Sequence, residues 1–154
     1  MNSQTCASCE LCSLPGGEIC WEDALCRVVL VQGEDGRAHP GSCRVIWHRH
    51  VAEMTDLSSN DRQHLMQVVF ATEAALRQLC RPHKINLASL GNLVPHVHWH
   101  VIPRFADDSH FPAPIWATAR RAAPPARGVP TPADLRRTIT SLLPEVPSVP
   151  APSP

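Results

Sequence analysis

Three histidines occupy alternate positions within residues 95–104, and this spacing gives the chain its clearest capacity for chemistry. The residues between and after His96, His98 and His100 are β-branched or aromatic, which are the types that favour a strand. Alternate side chains of a strand project from the same face and lie about 6.6 Å apart. The sequence therefore predicts a strand that carries three imidazoles in one row.

Two kinds of chemistry fit such a row. The three imidazoles could ligate one metal ion, or one of them could act as a nucleophile while its neighbours orient it and pass protons. A purely structural row is disfavoured, because a neutral imidazole is neither a good core filler nor a strand former. The spacing alone does not distinguish the two chemical alternatives.

Residues His96–Ile102 read His-φ-His-φ-His-φ-φ, where φ is an apolar residue. This pattern resembles the signature of the histidine triad (HIT) family, and the resemblance extends upstream through residues 85–92 and back to Cys9. It implies a HIT-like α+β fold, in which an antiparallel sheet of about five strands carries one long helix. Residues 1–104 would form the HIT domain with an amino-terminal zinc arm.

The resemblance also implies a reaction at the α-phosphorus of a nucleotide. In that scheme His98 is the nucleophile and forms a transient nucleotidyl-histidine intermediate, which water then hydrolyses. His100 would hydrogen-bond the leaving group and help to protonate it. The expected activity is that of a nucleotide hydrolase or transferase, with a dinucleoside polyphosphate or a nucleoside phosphoramidate as substrate.

Other residues are expected to hold the substrate. Asn86 and Asn92 are short amides near the histidines, able to donate to phosphate oxygens and to accept from ribose hydroxyls. Trp116 is expected to close the pocket, as carboxy-terminal segments do in some relatives. In relatives a hydroxyl residue often follows the position of Asn92, whereas this chain has Leu93 there.

Cysteines near the amino terminus predict a metal site. Cys6, Cys9 and Cys12 form two overlapping Cys-x-x-Cys pairs, and one such pair is half of a zinc site, although a redox pair would look alike. The resemblance implies one structural zinc ion per chain, held by Cys9, Cys12, His50 and His96. Cys6 is an alternative ligand.

Two rival functions stay open at this stage. In the first, all three triad histidines bind one catalytic zinc ion and the protein is a metallohydrolase. In the second, the protein binds nucleotides or partners without turning them over, which the missing hydroxyl at Leu93 and a proline-rich tail favour weakly.

The elements that must position these residues follow from the hydrophobic pattern. Leu25–Val31 and Cys43–Trp47 are apolar, β-branched runs joined by a segment rich in turn formers, which predicts two antiparallel strands. Relatives often place a ribose-binding acidic residue after the first of these strands. Here Gln32 stands near that place, and Glu34 and Asp35 lie slightly beyond it. The sequence therefore does not assign the residue that binds the ribose.

A second group of elements surrounds the triad strand. From about Ser58 to Leu79 the apolar period of nearly four predicts the long helix, with Ser58 at its start and Pro82 beyond its end. Lys84–Ser89 is predicted as the strand that precedes the triad strand.

Residues 105–154 differ in composition from the rest, since they contain eleven of the sixteen prolines. Proline-rich chain rarely forms regular structure, so this carboxy-terminal segment is predicted to be only partly ordered. Thr131 followed by Pro132 and an apolar stripe predicts one short helix near 132–143.

Charge and cysteine count limit the partners and the compartment. Fourteen basic residues balance fourteen acidic ones, so no long-range field would gather nucleic acid.

No apolar run approaches the ~20 residues of a membrane span, and the start of the chain lacks the regions of a secretory signal. Seven cysteines cannot all pair. We expect a cytoplasmic protein that binds a small-molecule nucleotide, with neither nucleic acid nor membrane as partner; the resemblance adds a homodimer.

Overall fold

The computed structural model describes residue 6 and residues 8–144. The predicted domain limits at residues 1 and 154 therefore lie outside the described residues. Within them, five strands form one sheet in the order β1-β2-β3-β5-β4, and every neighbouring pair is antiparallel. The strands are β1 Glu18–Glu22, β2 Cys26–Leu30, β3 Cys43–Trp47, β4 Lys84–Ala88 and β5 His98–Arg104.

Four α-helices accompany the sheet, and the two predicted ones are both present. They are α1 Glu10–Ser13, α2 Gly33–Ala38, α3 Ser59–Cys80 and α4 Pro132–Leu142. The Ser58 side chain caps α3 by accepting from the amide of Asp61, and Thr131 caps α4 with Pro132 in its first turn. The α+β fold, the long helix and the carboxy-terminal helix are thus confirmed. No helix in the described part of the chain is long and apolar enough to cross a membrane.

Two elements near the site go beyond the prediction. Strand β1 is short and carries an irregularity between Ile19 and Trp21, so its alternation is broken. Helix α2 forms inside the segment that was predicted as turns. Two glycines permit the backbone of α2, because Gly33 adopts a positive φ of 74° and a Cβ at Gly36 would clash with the carbonyl of Val31.

The hydrophobic core lies on one face of the sheet, beneath α3 and α4. Its members are apolar residues with no more than a few per cent of their surface exposed, and they come from the sheet and from both helices. Helix α4 contributes Leu135 and Ile139, which are fully buried. The carboxy-terminal helix is therefore part of the core, although the chain that leads to it is rich in proline.

The opposite face of the sheet carries the histidines, and we call it the functional face. The register places His98 opposite Ile46 and His100 opposite Arg44. Directly paired residues of an antiparallel ladder project to the same side, so these four side chains share the functional face. The amino-terminal arm covers part of it, where Leu11 packs in one buried cluster with Ile46.

Burial of α4 against the core leads to a stability prediction. Leu135→Ala should lower the free energy of unfolding by about 2–5 kcal/mol, because it removes a fully buried side chain and leaves a cavity. Leu142→Ala, at a position of α4 that is 36% exposed, serves as the matched control and should cost less than about 1 kcal/mol. Urea denaturation of both variants measures the difference. Equal, small effects would show that α4 does not belong to the cooperative fold.

Candidate functional site

The first feature of the site is the orientation of His98. Its ring is buried, and its Nδ1 lies 2.6 Å from the backbone oxygen of His96. A carbonyl oxygen only accepts, so Nδ1 must carry the proton and donate it. The lone pair of the neutral ring is therefore at Nε2, the nitrogen that is free to act on a ligand.

His100 lies directly beside this ring. The ring centroids of His98 and His100 are 5.0 Å apart with the planes at 70°, and Trp116 approaches His100 from another side at 5.1 Å. Burial lowers the pKa of His98. Burial, together with the nearby His98 and Arg44, lowers the pKa of His100 to about 4. Both imidazoles are therefore neutral near pH 7.

Two recesses open on the functional face, and His100 lines both while His98 lines only the larger one. The smaller one, which we call the polar recess, has a volume of about 290 Å³ and includes Glu34, Asp35, His39 and His110 in its wall. The larger one, the apolar recess, has a volume of about 560 Å³ and is lined mainly by apolar side chains, among them Leu11, Leu90, Leu93 and Val94. The residues common to both walls are Asp35, Arg44, His100 and Trp116.

The structure brings some of the predicted substrate residues to these recesses and not others. Asn92 lines the apolar recess, and Trp116 lines both. Leu93, which follows Asn92, is 96% exposed. Asn86 lines neither recess, and its amide oxygen accepts a 2.7 Å hydrogen bond from Arg104 at the end of β5.

A buried ion pair fixes the loop that carries Trp116. Arg104 donates to both carboxylate oxygens of Asp108, at 2.8 and 3.0 Å, and to the backbone oxygen of Ala113. Burial alone would raise the pKa of Asp108, but the Arg104 guanidinium and the amides of His110 and Phe111 lower it to about 2. The charged pair therefore anchors the chain after β5 and holds Trp116 over His100.

A second cluster lies beside the triad, at the predicted metal ligands. One ligand atom from each of Cys9, Cys12, His50 and His96 lies within 4.8 Å of the others. The Nδ1 atom of His96 is 3.4 Å from the sulfur of Cys9 and 3.6 Å from that of Cys12, and His50 Nδ1 is 3.5 Å from Cys12. These separations match the edges of a tetrahedron around an ion with ligand distances of about 2.0–2.3 Å.

The tautomer of His96 also suits a metal ligand. Its Nε2 lies 2.6 Å from the backbone oxygen of Trp47, so Nε2 carries the proton and Nδ1 presents its lone pair to the two thiols. Cys6 is not a member of the cluster, and its sulfur lies 3.1 Å from the hydroxyl of Ser8. The residues present therefore fit a structural zinc ion with two sulfur and two nitrogen ligands.

Sequence reasoning missed the most central charged residue of the site. Arg44 pairs with His100 across β3 and β5 and lines both recesses. The alternation of side chains along Cys43–Trp47 predicts which residues share a face with Arg44. Only the pairing of β3 with β5 shows that this is the face that carries the histidines. His39 and His110 were also missed; their rings lie 5.0 Å apart in the polar recess, and no local signal links them.

Comparison with known proteins gives one family match along the chain. The model of the HIT domain matches residues 22–107. Among curated proteins, a protein of Mycobacterium tuberculosis named AP-4-A phosphorylase is 30% identical over 79 residues, which are 47% of this chain and 40% of that protein. The chain thus spans less than half the length of the curated relative it matches.

Solved structures give the same fold. A histidine triad protein from Sinorhizobium meliloti superposes with a TM-score of 0.67 at 23% identity, over 92% of this chain and 100% of that one. A zinc-bound histidine triad family protein from Mycobacterium smegmatis superposes with a TM-score of 0.59 at 21% identity, over 88% of this chain and 95% of that one.

The lowered pKa of His100 predicts a pH dependence of stability. The unfolded chain takes up a proton near pH 6.5, whereas the folded protein resists it down to about pH 4, so stability must fall as the pH drops through this window. Between pH 7 and pH 5 the free energy of unfolding of the wild type should fall by about 1–2 kcal/mol more than that of His100→Gln. Urea denaturation of wild type and His100→Gln at both pH values measures this difference. If stability changes equally with pH in wild type and His100→Gln, the pKa of His100 is not lowered in the folded protein.

Proposed function

Because the chain belongs to the HIT domain family, we propose that it is an enzyme that cleaves nucleotides at the α-phosphorus. It acts as a hydrolase or transferase on a dinucleoside polyphosphate or a nucleoside phosphoramidate, through a covalent nucleotidyl-histidine intermediate. The name of the M. tuberculosis relative, AP-4-A phosphorylase, supports a nucleotide substrate of this type. The single observation that carries the proposal is the hydrogen bond from His98 Nδ1 to His96, which leaves Nε2 as the nucleophile.

The chemistry follows from this tautomer. The Nε2 lone pair of His98 attacks the α-phosphorus, a P–N bond forms, and the bond from phosphorus to the leaving group breaks. His100 donates a hydrogen bond to the leaving atom and passes it a proton. Water then attacks the same phosphorus and gives a proton to His100, which restores the proton that His100 lost. The P–N bond breaks, and the nucleoside monophosphate leaves while His98 returns to its neutral state.

The two recesses divide the substrate between them in this proposal. The carboxylates of Glu34 and Asp35 in the polar recess suit ribose hydroxyls, which donate to them, so the nucleoside lies there with Trp116 against it. The leaving group lies in the apolar recess, which Asn92 lines. Asn86 stays a predicted substrate contact; its amide would have to share its bond with Arg104.

The second part of the proposal is a structural zinc ion at Cys9, Cys12, His50 and His96. The ion would tie the amino-terminal arm to the segment that leads into β5, and so support the placement of His98. The zinc-bound relative from M. smegmatis supports the choice of metal. A single catalytic zinc on all three triad histidines is disfavoured, because His96 Nδ1 faces the thiols while His98 Nδ1 is committed to a carbonyl.

Assembly and location complete the proposal. The outer edge of β4 has no neighbouring strand among the described residues, and such an edge is suited to pairing with a second copy, which supports a homodimer. All seven cysteines are free thiols, and the proposed zinc site needs reduced ligands, which supports a cytoplasmic location.

Loss of the nucleophile gives the direct test of activity. His98→Ala should lower the rate of nucleoside monophosphate release by roughly 10⁴-fold or more, since it removes the atom that attacks phosphorus. His100→Ala should lower it by about 10²–10⁴-fold. The assay is a panel of diadenosine polyphosphates and adenosine phosphoramidates with wild type, both variants and His83→Gln as the matched control.

The rival functions predict other results in the same assay. Rapid mixing followed by mass spectrometry at alkaline pH, where a P–N bond survives, should show one nucleotidyl group on the wild type and none on His98→Ala. A catalytic zinc enzyme would instead lose activity at once in chelator and give no adduct. Binding of nucleotides without any turnover would identify a non-catalytic protein and refute the proposed reaction.

Removal of the thiol ligands tests the zinc proposal. Cys9→Ser and Cys12→Ser should each lower bound zinc and reduce the melting temperature by roughly 10 °C, because metal binding contributes to folding. Cys6→Ser is the matched control and should keep both values. Elemental analysis and thermal unfolding give the two readouts, and wild-type zinc content in Cys9→Ser would refute the ligand set.

A further inference from the structure

Arg44 lies on the functional face where the two recesses meet. It is paired with His100 across β3 and β5, and it lines both the polar and the apolar recess. A phosphorus atom in reach of His98 and His100, with a group in each recess, would therefore lie next to this guanidinium.

The charges around the two recesses make Arg44 distinctive. Among the described residues that line them, Arg44 is the single lysine or arginine, while Glu10, Glu34 and Asp35 are acidic. A phosphate group that enters the site thus finds one permanent positive charge.

The guanidinium of Arg44 keeps donors for a ligand. One Nη atom donates to the carbonyl of Gly16 at 3.2 Å, and the other lies 4.0 Å from Asp35, whose side chain is 79% exposed. Its Nε is buried and makes no hydrogen bond within the described structure. A loose, solvent-screened contact to Asp35 holds the group weakly, and an unpaired buried donor favours binding of an acceptor.

We propose that Arg44 is a catalytic residue that binds the non-bridging oxygens of the α-phosphate. This inference rests on the proposed function and adds its electrostatic component. The planar guanidinium suits two phosphate oxygens at once, and it strengthens its hold as charge redistributes during transfer. Because the α-phosphate is common to all the candidate substrates, Arg44 acts on each of them alike.

The alternative is a purely structural role, in which Arg44 ties the amino-terminal arm to β3 through Gly16. Binding of AMP and of adenosine separates the two roles, because the two ligands differ only in the phosphate. Arg44→Gln should weaken the binding of AMP by about 10–100-fold and leave the binding of adenosine unchanged. The affinity of Arg44→Lys for AMP should lie between those of wild type and Arg44→Gln. Arg77→Gln, at an exposed position of α3, removes the same charge far from the site and should change neither affinity.

Turnover provides the second readout. The kcat/KM of Arg44→Gln should fall by roughly 10²–10³-fold on a diadenosine polyphosphate and on an adenosine phosphoramidate by the same factor. If kcat/KM falls only with the polyphosphate, Arg44 contacts the leaving group, and its assignment to the α-phosphate is wrong. Equal weakening of AMP binding and adenosine binding would also overturn that assignment. If AMP binding depends on Arg44 but no substrate is turned over, the phosphate site stands and the proposed reaction fails.

Discussion

The hydrogen bond from His98 Nδ1 to the carbonyl of His96 is the interaction on which the site depends. It selects the tautomer of the ring and fixes its plane, and both are needed for a nucleophilic nitrogen. The carbonyl must itself be held in place, and backbone bonds achieve this. The amide of Val97, in the same peptide unit as the His96 carbonyl, donates to Val51 at 2.8 Å, and the carbonyl of Val97 accepts from Trp47 at 3.2 Å. Val97 is thus tied to the end of β3 and to the segment that follows it.

The same short segment links the histidine pair to the cluster of Cys9, Cys12, His50 and His96. His96 contributes its carbonyl to His98 and its ring to the cysteines, while its Nε2 donates to Trp47. A shift of the amino-terminal arm would therefore move His96 and disturb the orientation of His98. On the proposed function, the zinc ion acts at a distance from the chemistry, by holding the residue that holds the nucleophile.

Local patterns were enough to predict much of this molecule. The alternation of histidines predicted a strand, and β5 carries two of them, His98 and His100, while His96 lies just before its start. Ser58 and Pro82 predicted the limits of α3. What could not be predicted depends on contacts between distant segments. Arg44 meets His100 only because β3 pairs with β5, fifty-odd residues later in the chain, and Asn86 has the amide that a substrate site would use but lies beside Arg104.

On the proposed function, the electrostatics of the site would connect substrate binding to proton transfer. In the free protein burial and the charge of Arg44 keep His98 and His100 neutral, which suits a nucleophile but not a proton donor. A bound phosphate would offset the charge of Arg44 and place negative oxygens beside His100, and both effects favour the protonated ring. The rise in proton affinity would thus occur only with substrate in place. A site built from buried neutral imidazoles and one guanidinium can therefore keep its nucleophile available and acquire its acid when the leaving group arrives.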